Sequence, residues 1–342
     1  MTADVVVAGR VRRARHWRLT VSILAVAVVV AFALSLMIGR TFYGPEEVLR
    51  VIAGQTVPGA SFTVGVLRLP RAVLGMLVGF AFGLAGVTFQ TMLRNALAAP
   101  DIIGISSGAS AAAVFAIVVL QVSSATTASV LAIVAALVTA ALIYVLAYKD
   151  GIVGTRLILI GIGISAILKS LVSYMIIRAA AWDLQTAMRW LTGSLNGATW
   201  SRALPLAVAI AVFTPVLLGQ ARHLDLLRLG DDTAAALGVR VGRTRLVVIL
   251  AAVALIAFAT AAAGPVAFVA LLSGPIAARI VGSAGSLLVP AGLVGALLVL
   301  VSDLIAQYAF GTRYPVGVIT GVVGALYLVF LLVRVNRSGG SL

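Results

Sequence analysis

Two ionisable residues, Lys169 and Asp303, lie inside otherwise apolar stretches of the chain. A charge in a bilayer interior is costly unless it is paired or faces water. Each therefore reads either as part of a solute or proton pathway or as half of a structural ion pair. A second polar group follows an apolar run: Gln90, Thr91 and Asn95, then Pro100-Asp101, then Gly104-Ile105-Ser106-Ser107-Gly108-Ala109-Ser110. A helix that opens on Ser, Gly and Asp exposes free N–H groups, which can face a cavity or simply cap a tightly packed helix. The third group is Leu229-Gly230-Asp231-Asp232-Thr233-Ala234-Ala235-Ala236-Leu237-Gly238. Asp231, Asp232 and Thr233 offer acceptors for a helix start, the alanines are strong helix formers, and Gly238 suits a helix end. One or two turns of small-residue helix span nothing. The stretch is either a contact surface or an ordered loop.

No catalytic set accompanies these groups. The two lysines, Lys149 and Lys169, follow Tyr148 and Leu168, so no Gly-Lys-Ser/Thr phosphate loop exists. With no Cys, and with His16 and His223 the only histidines, thiol chemistry and a His-rich metal site are excluded. Acids within the apolar regions are too few for a paired-carboxylate hydrolase. The chain is expected to be no enzyme and to hold no metal or cofactor.

The elements that must position these groups are membrane helices. The 342 residues are 62% hydrophobic and 10% charged, with a mean hydropathy of +1.17. Soluble domains carry about 25% charged residues, so this chain cannot coat a water-facing surface. Ten apolar spans are expected, at roughly 19–39, 71–93, 103–121, 127–147, 156–177, 203–220, 244–262, 266–281, 287–309 and 316–334. The eighth is short for a bilayer. The first follows five arginines (Arg10, Arg12, Arg13, Arg15 and Arg18) and is longer than the apolar core of a signal peptide, so it reads as a retained span.

A net charge of +15 suggests nucleic acid only at first sight, because the basic residues fall in short loops between spans and report orientation instead. With the N-terminus inside, 16 of the 25 Lys and Arg lie inside and 8 lie outside, with Lys169 in a span. Both termini are then cytoplasmic. The chain reads as a single transmembrane domain over 1–342, with a basic N-terminus (1–18), outer segments at 40–69 and 179–201, and a cytoplasmic segment at 222–243. In the outer segments Gly44-Pro45-Glu46-Glu47 reads as a short helix start, Pro58-Gly59 as a turn, and Trp182, Trp190 and Trp200 as an interfacial belt. Glycines at helical spacing in the second span (Gly75, Gly79, Gly83, Gly86) and the tenth (Gly317, Gly321, Gly324) read as crowded packing faces and hint at an internal repeat.

Four stretches resemble the FecCD-type permease family, the membrane subunits of ABC importers for iron–siderophore, haem and cobalamin. Leu67-Arg68-Leu69-Pro70-Arg71 resembles its LRLPR motif, and Gln90–Ala109 its Q…RNPLA-P-LLG-SSGA segment. Leu229–Val239 resembles its cytoplasmic coupling helix. Gly264–Gly282, Ser302-Asp303 and Tyr314-Pro315-Val316-Gly317 resemble its C-terminal motifs. The resemblance covers about residues 65 to 334.

It implies an all-α fold of about ten spans of the type II ABC importer kind, in a bacterial inner membrane. The implied partners are a second permease, two ATPase subunits that carry ATP and Mg, an extracytoplasmic solute-binding protein and membrane lipid, with no nucleic acid. The expected cargo is a ferric siderophore, on its frequency in the family, with cobalamin or haem as alternatives. By the resemblance, residues 229–238 couple to the ATPase, and Arg68, Arg71 and Arg313 meet the binding protein. Gln90, Asn95, Ser106, Ser107 and Ser110 are read as lining the path. An ion-gradient transporter working through Lys169 and Asp303 is the alternative of another class. The chain departs from the family at Ala96 (usually Pro), Ile276 (usually His), Gln307 (usually Arg) and Arg313 (often Glu). These departures fit one half of a heterodimer, which is favoured over a homodimer.

Overall fold

The computed structural model describes residues 3–98, 104–122, 124–148, 155–282 and 284–337. Helix α1 (Ala3–Met37) is followed by a short outer helix α2 (Pro45–Ile52) and a π-helical segment (Ser61–Arg68) that runs directly into α3 (Leu69–Leu93). Next come α4 (Ile105–Val118), α5 (Ala125–Ala147), α6 (Thr155–Ile177), the outer helix α7 (Ala181–Leu191) and α8 (Trp200–Gly219). Two short cytoplasmic helices, α9 (Ala221–Leu227) and α10 (Asp231–Ala236), precede α11 (Val241–Ala263), α12 (Val269–Val281), α13 (Leu288–Tyr308) and α14 (Val316–Arg337). Seven helices among the described residues are long and apolar enough to cross a membrane, and α4, α12 and α14 contribute shorter apolar stretches. The ten expected spans are the ten long or apolar helices found here.

Two boundaries differ from the sequence expectation. The second span begins at Ser61 rather than near residue 71, so the outer segment is shorter than 40–69 and the helix is continuous over 33 residues. The turn at Pro58-Gly59 sets its start, and Ser61 Oγ accepts from the Val57 amide there (2.7 Å). The basic N-terminus is not a separate segment either. It is the first part of α1, whose 35 residues rise about 52 Å and overhang a core about 30 Å thick. Trp17 Nε1 donates to the Ser286 carbonyl (2.9 Å) and pins that overhang against the start of α13.

Helix α3 is the centre of the packing. Its most hydrophobic window is 78% buried, as is that of α11, whereas those of α5, α6 and α8 are only 22–28% buried. The glycines of α3 explain how neighbours come so close. A Cβ on Gly79 would run into the Gly295 carbonyl, one on Gly83 into the Ala291 carbonyl, and one on Gly86 into the Ala270 carbonyl. Small residues thus let α13 and α12 lie backbone to backbone on α3. The tenth-span glycines do different work: Gly317 meets the Thr192 carbonyl, Gly324 meets Phe268, and Gly321 has open space.

Candidate functional site

The cytoplasmic tip is α10 and its flanks. Gly230 at φ 111° and Gly238 at φ 88° bracket the helix, both in the left-handed region that glycine takes without a Cβ penalty. Ala234 is fully buried, and Val239 and Leu227 join it underneath. The other side of the tip is open: Leu229 is 62% exposed and Leu237 is 58% exposed, with Ala235 and Ala236 exposed between them. Two large aliphatic side chains standing free beside a surface of methyl groups form a small apolar face on a cytoplasmic projection.

The Asp231 side chain does not cap the helix. Gly230 holds the N-cap position, and no side chain bonds the free amides. One position further in, the Asp231 carboxylate instead takes a 2.8 Å charge-assisted bond from Arg245 Nη2 at the start of the second turn of α11. Arg94 Nη2, from the left-handed residue that ends α3, stands 3.8 Å from the same oxygen. The Arg245 side chain is only 6% exposed, and its Nε has no partner within the chain. A buried guanidinium held by one carboxylate makes that carboxylate hard to remove. Asp231 therefore ties the tip to α11 and to the end of α3.

At the outer end α3 carries a second ionic tie. Arg71 grips Asp303 of α13 with two parallel bonds, Nε to Oδ2 at 2.9 Å and Nη2 to Oδ1 at 2.8 Å. Gln307 Nε2 donates to Asp303 Oδ2 (2.7 Å), and Arg71 Nη1 donates to Asn196 Oδ1 (2.7 Å). Asp303 is thus half of a structural ion pair and its partner is Arg71, not Lys169. Lys169 lies on the exposed side of α6, in no ion pair among the described residues. The same side of α6 shows Gly163, Ala166, Ser170 and Ser173.

Of the three outer arginines, Arg68 is also committed inward. Its guanidinium donates to the carbonyls of Leu36 (2.8 Å), Met37 (2.9 Å) and Thr41 (2.7 Å), finishing the open end of α1, and it lies over the Tyr43 ring. Arg313 sits exposed in the turn between α13 and α14, with no acidic partner among the described residues.

The residues read as path-lining separate into two places. Gln90 is buried and donates to the carbonyls of Ala96 (2.8 Å) and Leu271 (3.0 Å), lacing the end of α3 to α12. Asn95 is exposed just beyond it, its Oδ1 accepting from the Leu97 amide (2.8 Å). Both line a cytoplasmic cavity of about 290 Å³ that Arg94, Arg228, Gly274 and Pro275 also border. Ser106, Ser107 and Ser110 are all buried inside the chain, and Ser107 Oγ meets Ser165 Oγ of α6 at 2.7 Å. They face the joint between α4 and its neighbours rather than an opening in this chain. Pro100, Asp101 and Lys149 lie outside the described residues.

In the linear chain Arg94 and Arg245 are marked only as loop cations that report orientation, and Asn196 carries no marked role. Nothing local marks Arg245 as buried. Its place near the start of the span after the tip is the one available signal.

Residues 26–334 match the model of the FecCD transport family. The chain is 39% identical over 325 residues to the ferric enterobactin transport system permease protein FepG of Escherichia coli (strain K12), covering 95% of this chain and 98% of that one. It is 38% identical over 319 residues to the achromobactin transport system permease protein CbrC of Dickeya dadantii (strain 3937), covering 91% and 89%. A solved inward-facing structure of a metal-chelate type ABC transporter superposes with a TM-score of 0.83 at 29% identity, over 92% of this chain and 98% of that one.

Proposed function

The chain belongs to the FecCD transport family, a non-catalytic ABC permease subunit of the inner membrane, and on that footing we propose that it imports ferric siderophores by alternating access, driven by ATP on separate subunits. The observation that carries this reading is the cytoplasmic tip. An apolar face of Leu229, Ala235, Ala236 and Leu237 suits a cleft in an ATPase subunit, and Asp231 passes a push on that face to α11 and α3. Ferric siderophore is the cargo favoured by relatives named for enterobactin and achromobactin transport, with cobalamin or haem as alternatives within the family.

The path runs along the interface of two permeases. The exposed side of α6, small and polar around Lys169, suits that interface, and the inner cavity beside Gln90 and Asn95 suits its cytoplasmic end. Ser107 braces α6 from behind through Ser165, with Ser106 and Ser110 buried beside it on α4. A loaded binding protein docks outside through Arg313, on a frame fixed by Arg68 and Arg71. The residues at Ile276, Gln307 and Arg313 favour a heterodimer, whose partner permease carries the more usual types.

Copurification of the full chain from its native membrane tests the reading. Recovery of an ATPase subunit, with or without a second permease, supports it. A chain that purifies alone and transports in vesicles on an ion gradient alone overturns it.

A further inference from the structure

At the outer ends of α5, α8 and α11 two cavities adjoin, with Gly197, Arg202 and Ala262 in the walls of both. The first, of about 300 Å³, sets the polar side chains of Arg189, Thr186, Ser194 and Asn196 around a floor of Trp190, Ala263 and Gly264. The second, of about 510 Å³, changes character with depth. Its rim carries the hydroxyls of Thr126, Ser129, Thr199 and Ser201, while Val130, Ile133, Leu206 and Phe258 line the part below. From Thr126 to Ile133 the α5 wall descends about 10 Å.

Arg202 stands where the two cavities meet. It is half-buried in the first turn of α8, and its guanidinium has no ion pair or hydrogen bond among the described residues. A cation left unpaired at the edge of the apolar layer is stabilised by an anion brought to it. Trp190 beside it and Trp200 two residues before it mark this level as the outer membrane interface. A chamber edged by a second arginine and by hydroxyl and amide groups, a cationic pivot and an apolar slot in that order match one amphiphile. The flanking helices α5 and α8 are among the least covered in the chain, so the slot opens on the surface they turn to the bilayer.

We propose that this double cavity binds one glycerophospholipid of the outer leaflet. Its phosphodiester sits on Arg202, its headgroup enters the chamber beside Arg189, and one acyl chain lies between α5 and α8 over Phe258. A small free anion would fill only the chamber beside Arg189 and leave the larger slot uncovered. The site is independent of the transport reading and stands whatever the cargo.

The test uses the full chain, reconstituted in nanodiscs of equal phosphatidylethanolamine and phosphatidylglycerol, then extracted and weighed intact by mass spectrometry. The wild type retains one phospholipid per chain. Arg202→Gln lowers that retention about tenfold, the worth of one charge-assisted contact, and Arg202→Lys keeps most of it. Val130→Trp, at an exposed position on the slot wall, lowers retention with Arg202 intact. Equal retention in wild type and Arg202→Gln overturns the proposal, as does unchanged retention in Val130→Trp. Binding of glycerophosphate as tight as that of the diacyl lipid also overturns it, because the slot would then contribute nothing.

Discussion

The Asp231 carboxylate and the Arg245 guanidinium meet at 2.8 Å across the joint between the cytoplasmic tip and α11. Arg245 is buried and Asp231 is one-third exposed, so the bond stands at the edge of the protein with its cationic half inside. Asp231→Ala strands the guanidinium and should cost about 2 kcal/mol, less than a fully buried pair because water reaches the acid side. Asp231→Ala combined with Arg245→Met should recover most of that loss, since no buried charge remains. Thermal unfolding of the detergent-solubilised chain reads both. A double variant less stable than the single one would show that Arg245 has another partner.

Ala235→Arg puts a long cation onto the apolar face of the tip at an exposed position. The chain should fold with an unchanged Tm, while solute-stimulated ATPase activity and uptake of the reconstituted complex fall at least about tenfold, the effect of burying one unpaired charge at a contact. Normal stimulation in that variant would remove the tip from the ATPase contact.

Arg71 and Asp303 form a two-bond pair whose side chains are 14% and 7% exposed. Arg71→Ala should destabilise the chain by about 3 kcal/mol, because Asp303 is left buried with only Gln307 to bond. The same geometry separates importer from ion-driven transporter. Uptake by the complex should persist when the proton gradient is collapsed and ATP is supplied, and loss of uptake under those conditions would return Asp303 to a proton pathway.

Much of this was readable in the linear chain, for physical reasons that also mark where reading stops. The spans were legible because a bilayer demands long apolar runs, and α10 because alanines between two glycines leave few alternatives. The start of the second span was hidden, since Ser61, Thr63 and Gly65 look like loop, yet the helix runs through them as π-turns. The pairing of Arg71 with Asp303 bridges 232 residues, and no local pattern carries such a contact. Asp231 looked like a cap because acids favour helix starts. Gly230 took that position, which freed the carboxylate for Arg245.

Arg313→Glu should weaken docking of the loaded binding protein about tenfold at low ionic strength and much less at high salt, as an exposed charge is screened over about 10 Å at 0.1 M. Surface-immobilised binding protein against the nanodisc-embedded complex measures it. Affinity that is the same in both proteins at both salts would leave Arg313 without a docking role.

Gly79→Ala and Gly295→Ala each place a methyl against a backbone carbonyl of the facing helix, where no flexible side chain can yield. Each should cost about 3 kcal/mol, at the upper end of overpacking penalties. Gly321→Ala, with open space around it, should be neutral within error. The comparison of the three Tm values tests whether the glycine column, rather than helix propensity, is what matters.

That column has a mechanical meaning. Where α3 and α13 touch backbone to backbone, neither can roll or slide without carbonyls colliding, and the Arg71–Asp303 bond pins their outer ends. The two helices therefore behave as one stiff beam: a stator. Whatever rocks during a transport cycle must be hung on it, and α5, α6 and α8, which this chain's own helices leave sparsely covered, are the ones open to a partner or to lipid. The cytoplasmic tip is tied to the beam directly through Arg94 and again through Arg245 and α11, which packs on α3 as well as on α5 and α8, so α11 joins the tip both to the beam and to the outlying helices.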